Sequence, residues 1–245
     1  MGIIGAFLRQ RRALLTCLLG LVLTPLPAGA QTLLLDDLLA AAPDDVARVL
    51  ESARPVAVSA ALKARVLASL PDHGEITHLD AASRLKLEAL VPVLRAARRA
   101  SVYEIRVMDL PQAAIGLYAA TVVLVSHPAL TLLSAGELRA VVAHEIGHEY
   151  IASDYERAAG LADFARLHEL ELVCDAVAVV TLRAVGQDAT HLLTGLEKLI
   201  RFNRHRFGDA LDESRHPSLA RRRAVVRTLQ ARLGPPPAFP DRPLQ

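Results

Sequence analysis

The chain is poor in cysteine and has no tryptophan. Only Cys17 and Cys174 occur among its 245 residues. Cys17 falls in an N-terminal stretch that reads as a leader, so the mature chain keeps Cys174 alone and forms no internal disulfide. A closed structural zinc site built from several thiolates is excluded on the same ground. The apolar run Ala13 to Thr24 has 12 residues, short of the roughly 20 that a membrane-crossing helix needs. Charge of one sign is lacking as well. The formal net charge is +2, and removal of the leader takes Lys+Arg from 28 to 25 against 26 Asp+Glu, which leaves −1. That balance excludes a nucleic-acid binder that works by charge. No internal repeat and no second domain are visible.

The leader has the three parts of a secretory signal peptide. Arg9, Arg11 and Arg12 form a positive segment and Ala13 to Thr24 the apolar one. Pro25 and Pro27 break the run, and Ala28-Gly29-Ala30 is a small-residue cleavage site before Gln31. Thr16 before Cys17 does not suit a lipoprotein box. The expectation is a periplasmic or secreted protein cleaved after Ala30, with an uncleaved N-terminal anchor as the alternative. A lone thiol suits a compartment where disulfides are allowed but not required.

The most informative stretch is Val141-Val142-Ala143-His144-Glu145-Ile146-Gly147-His148-Glu149. It reads H-E-x-x-H. Residues four apart on a helix lie one turn above the other, so His144 and His148 can offer two imidazoles to one metal ion. Glu145 then stands beside the metal, where a base must be to take a proton from water. Zinc suits the donor set, being redox-inert and content with nitrogen and oxygen ligands. The helix is predicted independently of the motif. Ser134-Ala135-Gly136-Glu137 is a capping box, and Leu138, Val141, Val142 and Ile146 supply an apolar stripe. Gly147 would let a second segment approach the metal closely. The plain alternative is a buried helix carrying two satisfied histidines.

The remaining pattern predicts an α+β fold, mostly helical, with a small sheet. Residues 33–70 read as two or three short helices, followed by a loop at 71–74. Residues 81–100 form a helix that Pro92 kinks or restarts. Strands are expected at 103–110 and 119–126, and the motif helix at 135–152. Residues 157–185 read as helical, with 172–180 apolar nearly all round and therefore buried. Another helix covers 189–202, a loop 203–215, and a last helix 218–233 opened by Pro217. The domain organisation expected is a signal peptide (1–30), one domain (31–234) with a helical N-terminal segment (31–100), and a proline-rich disordered tail (235–245). The arginines at 221, 222, 223, 227 and 232 fit a solvated helix face.

A catalytic zinc takes three protein ligands and leaves one position open. The third could come from Asp154, from His168 or Glu169, or from Glu171. Asp154 would belong to the long H-E-x-x-H-x-x-G-x-x-H pattern, but position 151 is Ile151 where that pattern has glycine. Glu171 and Asp175 are four apart on a helix otherwise apolar enough to be core. Buried carboxylates are costly unless paired or bound to a cation. Glu171 would ligate, and Asp175 would accept the Nδ1 proton of a ligating histidine. Salt bridges to the C-terminal arginines are the competing explanation.

With these residues in view, the chain resembles the HtpX-like and CAAX-prenyl-endopeptidase-type zinc metallopeptidases of the gluzincin group. The resemblance covers roughly residues 100–230. It is carried by Leu133 to His148, by the E-x-x-x-D of Glu171 and Asp175 with Cys174 where the family usually has alanine, and by His216-Pro217-Ser218 with Arg222. It implies a zincin-like domain and one zinc per chain on His144, His148 and Glu171. It further implies Glu145 as base, and an extended or unfolded polypeptide bound as an added strand along 119–126. It departs from the family upstream, where Gln112-Ala113-Ala114 and Tyr118-Ala119-Ala120 replace the usual Asn-Ala pair and Pro-Gly-Gly-type turn. With no spanning helix after the signal, it looks like the soluble, exported branch, whose partners would be envelope proteins near the membrane.

The function expected is hydrolysis of peptide bonds in exported or misfolded proteins. His216, Arg222 and Tyr118 are the candidates for stabilising the oxyanion, and His216 could instead hold the enzyme latent. The alternative is a zinc-containing, non-cleaving peptide binder of chaperone type, against which the retained Glu145 argues.

Overall fold

The fold is built around one long buried helix. The computed structural model describes residues 33–53, 55, 58–69, 74–97, 103–208 and 216–236. The expected signal peptide at 1–30 and residues 237–245 of the expected tail lie outside them. Three short helices come first: α1 (Leu35–Ala40), α2 (Pro43–Ser52) and α3 (Ala60–Ser69). The segment expected as one helix at 81–100 is two, α4 (Ala81–Glu88) and α5 (Val91–Ala96). Asp80 caps the first, and Pro92 sits in the opening turn of the second. There its fixed φ costs nothing and its missing N–H has no partner to lose.

Three strands follow, β1 (Glu104–Met108), β2 (Ile115–Tyr118) and β3 (Val122–Ser126). Their order in the sheet is β1-β3-β2, with β1 parallel and β2 antiparallel to β3. This corrects the sequence reading twice. The strand expected at 119–126 begins only at Val122, because Ala119 and Ala120 form the turn of a hairpin that also contains the unforeseen β2. Moreover, β3 is the central strand, so the stretch expected to serve as a free edge is paired on both sides. Among the described residues the open edge belongs to β2. The outer side of β1 is partly covered by residues 74–76, where Ile76 donates to Val107 O at 2.8 Å.

The hairpin turn is strained. Ala119 and Ala120 have φ of 48° and 53°, and the Thr121 N–H bonds back to Tyr118 O at 3.0 Å. Two consecutive left-handed residues are what a primed turn requires, and Asn-Gly is the pair that adopts them readily. Alanine instead bears a cost of roughly 1–2 kcal/mol at such a position. The double change Ala119→Asn with Ala120→Gly is therefore expected to stabilise the protein by about 1–2 kcal/mol. Thermal unfolding should register this as a midpoint a few degrees higher. An unchanged midpoint would mean that the turn stores no strain.

After β3 come α6 (His127–Leu132) and α7 (Ala135–Gly147), which carries the motif. A single 3-10 turn (His148–Ile151) leads to α8 (Ala152–Gly160). The continuous motif helix expected to residue 152 thus ends at Gly147. The long helix expected from 157 is also interrupted, at Leu161 to Asp163, where Ala162 has φ of 53°. The 21-residue α9 (Phe164–Ala184) follows, then α10 (Thr190–Phe207) and α11 (Leu219–Leu233). The loop expected from 203 is still helix to Phe207. Ser218, not Pro217, marks the start of the last helix, its side chain accepting from the Arg221 N–H.

α9 packs against α7, α8, α11 and the first two helices. Leu167, Leu170, Leu172, Val173, Ala176, Val177, Ala178, Val179 and Leu182 are all buried, each larger side chain contributing about 1.5–3 kcal/mol of apolar burial. β2 lies against α7 on the other side. Its approach is fixed by Asn203 on α10, whose buried amide accepts from the Ala113 N–H at 2.9 Å and donates to the Ala113 carbonyl at 2.8 Å. The expected architecture, mostly helical with a small sheet, is present. Among the described residues no helix is long and apolar enough to cross a membrane.

Candidate metal centre

The motif helix begins as its sequence dictates. Ser134 Oγ accepts from the Glu137 N–H at 3.2 Å, and Glu137 Oε2 accepts from the Ser134 N–H at 2.9 Å. The same carboxylate receives Lys198 of α10 at 2.8 Å. Burial alone would push the Glu137 carboxyl up, but Lys198 and Ser134 hold it down at about 2. The capping box therefore also anchors α7 to α10.

Thirteen residues on, α7 meets α9 at Gly147. A Cβ there would come within 2.8 Å of the Cys174 Cα and 3.0 Å of its Cβ. Contacts under 3 Å are not sustainable, so only glycine permits this approach. The close crossing brings His144 and His148 to the two acids of α9. His144 Nε2 lies 3.3 Å from Glu171 Oε2, and His148 Nε2 lies 3.7 Å from Glu171 Oε1. The other nitrogen of His144, Nδ1, is 2.9 Å from Asp175 Oδ1. That contact is short but off the axis of a well-aligned hydrogen bond, and Asp175 Oδ2 has no hydrogen-bond partner among the described residues. The Glu145 carboxylate, half-buried, stands in one cluster with His144 and His148, whose ligand atoms all lie within 4.8 Å of one another.

Glu171 and Asp175 are held by a third group, Arg222 of α11. Its Nη2 donates to Glu171 Oε2 at 2.8 Å and its Nη1 to Asp175 Oδ1 at 2.6 Å. All three side chains are at most 5% exposed. This corrects the oxyanion role considered for Arg222, because its guanidinium is already committed to the two acids. It also removes Arg222 from the solvated face expected for the C-terminal arginines, while Arg221, Arg223 and Arg227 are exposed as that reading requires. Tyr118 is not brought to the centre. It pairs with Val122 on the sheet face opposite Ile115 and Leu117, which pack on the core. Its buried hydroxyl makes no hydrogen bond with any described residue. His216 does reach the centre, with Nδ1 3.4 Å from Glu171 Oε2 and the side chain 56% exposed.

The competing third ligands are engaged elsewhere. Asp154 pairs with Arg157 at 3.3 Å and Arg166 at 3.7 Å, and Glu169 pairs with Arg166 at 3.0 Å. His168 stays half-buried one turn before Glu171. One residue at the centre was not singled out from the sequence. Tyr155 of α8 sets its ring edge-on to His148, with centroids 5.2 Å apart and planes at 90°. Its hydroxyl donates to Glu171 Oε1 at 3.3 Å. Only the 3-10 turn after His148 swings α8 back far enough for this, and nothing in the sequence announces that turn.

Charge accounting tests whether a cation fits. Two buried carboxylates face one guanidinium, which leaves one negative charge among nearly dry groups. Burial alone would drive the His144 imidazolium to release its proton, yet Asp175 and Glu171 overcome this and raise it to about 10. Burial pushes His148 down, toward the neutral form in which imidazole ligates. The His144 imidazolium supplies that charge, and a cation held between the same imidazole nitrogens and carboxylate oxygens would take its place. A group of His144, Glu145 and His148 can hold a metal ion, and nitrogen and oxygen donors without thiolate suit zinc. The only thiol nearby, Cys174, is buried, and burial beside Glu171 and Asp175 pushes it well up, away from the thiolate that binds metal. No protein-family model matches the chain, and no curated protein does. The functional reading therefore rests on the residues of this centre.

Proposed function

We propose that the protein is a zinc-dependent endopeptidase that hydrolyses peptide bonds of extended or unfolded, exported polypeptides. The observation that carries this reading is the convergence of the two motif imidazoles on the two oxygens of Glu171, with Glu145 free of both roles at their side. His144, His148 and Glu171 would hold the metal. Bound there, zinc supplies Lewis acidity for the scissile carbonyl and lowers the pKa of water to about 7.

The rest is done by the chain's own residues. Glu145 takes the proton of the attacking water on its carboxylate and later gives it to the leaving amine. Asp175 fixes the His144 ring through Nδ1, leaving Nε2 as the ligating nitrogen. Arg222 holds both acids in register. Substrate is held in extended form along the outer edge of β2, a strand that packs on α7 and is open on that edge among the described residues. This replaces the edge expected at 119–126.

Metal analysis tests the ligand set. The purified protein should carry about one zinc per chain, as a single open three-ligand site requires. Glu171→Ala should lose the metal under mild chelation, whereas Asp154→Ala, which removes only a partner of Arg157 and Arg166, should keep it. Asp175→Ala should weaken affinity by about 10–100-fold, the range for a residue that orients a ligand. Loss of zinc in Asp154→Ala with retention in Glu171→Ala would reverse the assignment.

A further inference from the structure

We propose that the outer edge of β2 is a docking window of two residues, Ile115 and Leu117, closed at both ends by side chains, so that it pairs with the backbone of one short extended segment of a polypeptide. This rests on the endopeptidase reading above for its occupant and adds how much of that occupant the sheet can hold. Successive residues of a strand turn their N–H and C=O groups to opposite edges. The Ser126 N–H donates to Ala114 O at 2.9 Å, and the register pairs Gly116 with Leu124 and Tyr118 with Val122. Ala114, Gly116 and Tyr118 therefore turn their backbone groups to β3. Ala113, Ile115 and Leu117 turn theirs the other way, to the outer edge.

The outward groups of Ala113 are already used. The buried Asn203 carboxamide accepts from the Ala113 N–H at 2.9 Å and donates to the Ala113 carbonyl at 2.8 Å. One amide thus takes both groups, as a residue of an added strand would. At the other end the strand runs into the hairpin turn, where the Thr121 hydroxyl donates to the Ala119 carbonyl at 2.9 Å. Between these two stops, the N–H and C=O groups of Ile115 and Leu117 have no hydrogen-bond partner among the described residues, and all of β2 is half-buried. Proteins blunt exposed sheet edges because they invite another strand. Here both ends are blunted, and the middle is left open where β2 packs on the motif helix.

The size of the window sets what it can bind. Two outward carbonyls accept two N–H groups, and two outward N–H groups find two carbonyls. A strand laid on this edge pairs through two alternate residues and runs free beyond them. Each such bond is worth about 2–10-fold in affinity. The window by itself therefore holds a chain weakly and without regard to its side chains, which suits polypeptides of many sequences rather than one. Asn203 sets the limit at its end of the edge. With that amide gone, Ala113 would offer a third pairing position.

The test is residue-resolved amide hydrogen exchange on Glu145→Gln, which should leave peptide intact. The probe is a blocked hexapeptide of alternating threonine and valine. With the probe at about ten times its Kd, exchange should slow by about 10-fold at Ile115 and Leu117 and by less than about 2-fold at Ala113. The side-chain amide signals of Asn203 should stay in place. The same hexapeptide N-methylated at every residue donates no backbone hydrogen bond and should protect neither position. Asn203→Ala in the same background should add Ala113 to the slowed amides; if that variant does not fold, the pattern with Asn203 present decides alone. Slowing at Ala113 with Asn203 in place, a shift of the Asn203 amide signals, or equal protection by the N-methylated peptide would overturn the proposal. So would a folded Asn203→Ala whose Ala113 stays fast, or no binding of the hexapeptide at millimolar concentration. None of these readouts requires cleavage. A wild type that cuts nothing sinks the endopeptidase reading, while Ile115 and Leu117 still report on the window.

Discussion

Arg222→Ala is expected to cost the fold about 3–5 kcal/mol. Among the described residues, the guanidinium is the only cation held against Glu171 and Asp175 at bonding distance apart from the histidines themselves. Truncation leaves two buried carboxylates facing only the imidazoles and the Tyr155 hydroxyl. Their charges must then be neutralised by protons, or water must enter the core. With total stabilities of about 5–15 kcal/mol, a loss of this size removes a large part of what holds the domain together. Urea unfolding read by circular dichroism measures it as a fall in the midpoint. Arg222→Lys should recover part of the loss, since an ammonium restores the charge but cannot bridge two carboxylates with a planar fork. A triple variant, Glu171→Leu with Asp175→Leu and Arg222→Met, should regain most of it while binding no zinc. If Arg222→Ala unfolds at the same urea concentration as wild type, the clamp contributes nothing to stability.

Glu145→Gln should separate catalysis from everything else. Glutamine keeps the size and hydrogen-bonding reach of the side chain but cannot take a proton at neutral pH. No described hydrogen bond uses the Glu145 side chain, and the contacts of His144 and His148 with Glu171 do not involve it. Zinc content and unfolding midpoint should therefore match wild type. Cleavage of an unfolded substrate such as casein should fall by at least about 100-fold, the lower end for loss of a general base. Peptide should still bind along β2, because backbone pairing makes no use of a carboxylate on α7. The variant should accordingly retain intact substrate that the wild type releases as fragments. Equal cleavage by the two proteins would show that Glu145 is not the base, and peptide binding without cleavage by either would favour a non-cleaving binder.

What could be read from the sequence was what depends on local chemistry. Ser134 and Glu137 announced the start of α7 because a capping box satisfies backbone donors within four residues. Glu171 and Asp175 stood out because acids one turn apart on an apolar helix must find a cation. The pairing of Asp175 with His144 Nδ1 was legible for the same reason. What could not be read was set by geometry across the chain. The β2–β3 hairpin was hidden because its turn is Ala-Ala, and alanine gives no hint of positive φ. The edge strand was misassigned because strand order in a sheet is not written in any one strand. Salt bridges from the C-terminal arginines to these acids were the alternative that the sequence left open, and only packing against α9 shows that Arg222 makes them. Tyr155 was invisible because its place depends on how sharply the chain turns after His148.

The clamp also has a direction in time. Arg222 lies 51 residues after Glu171 and 47 after Asp175, and a growing chain is made and folds from its N-terminal end. A nascent chain that has completed α7 and α9 already owns its imidazoles and acids, but the group that makes their burial affordable has not yet been synthesised. The centre can close only once the last helix docks. With the proposed activity, the chain would itself be unfolded polypeptide while it is being made, and this order of assembly would keep the site from forming until its own chain is no longer a substrate.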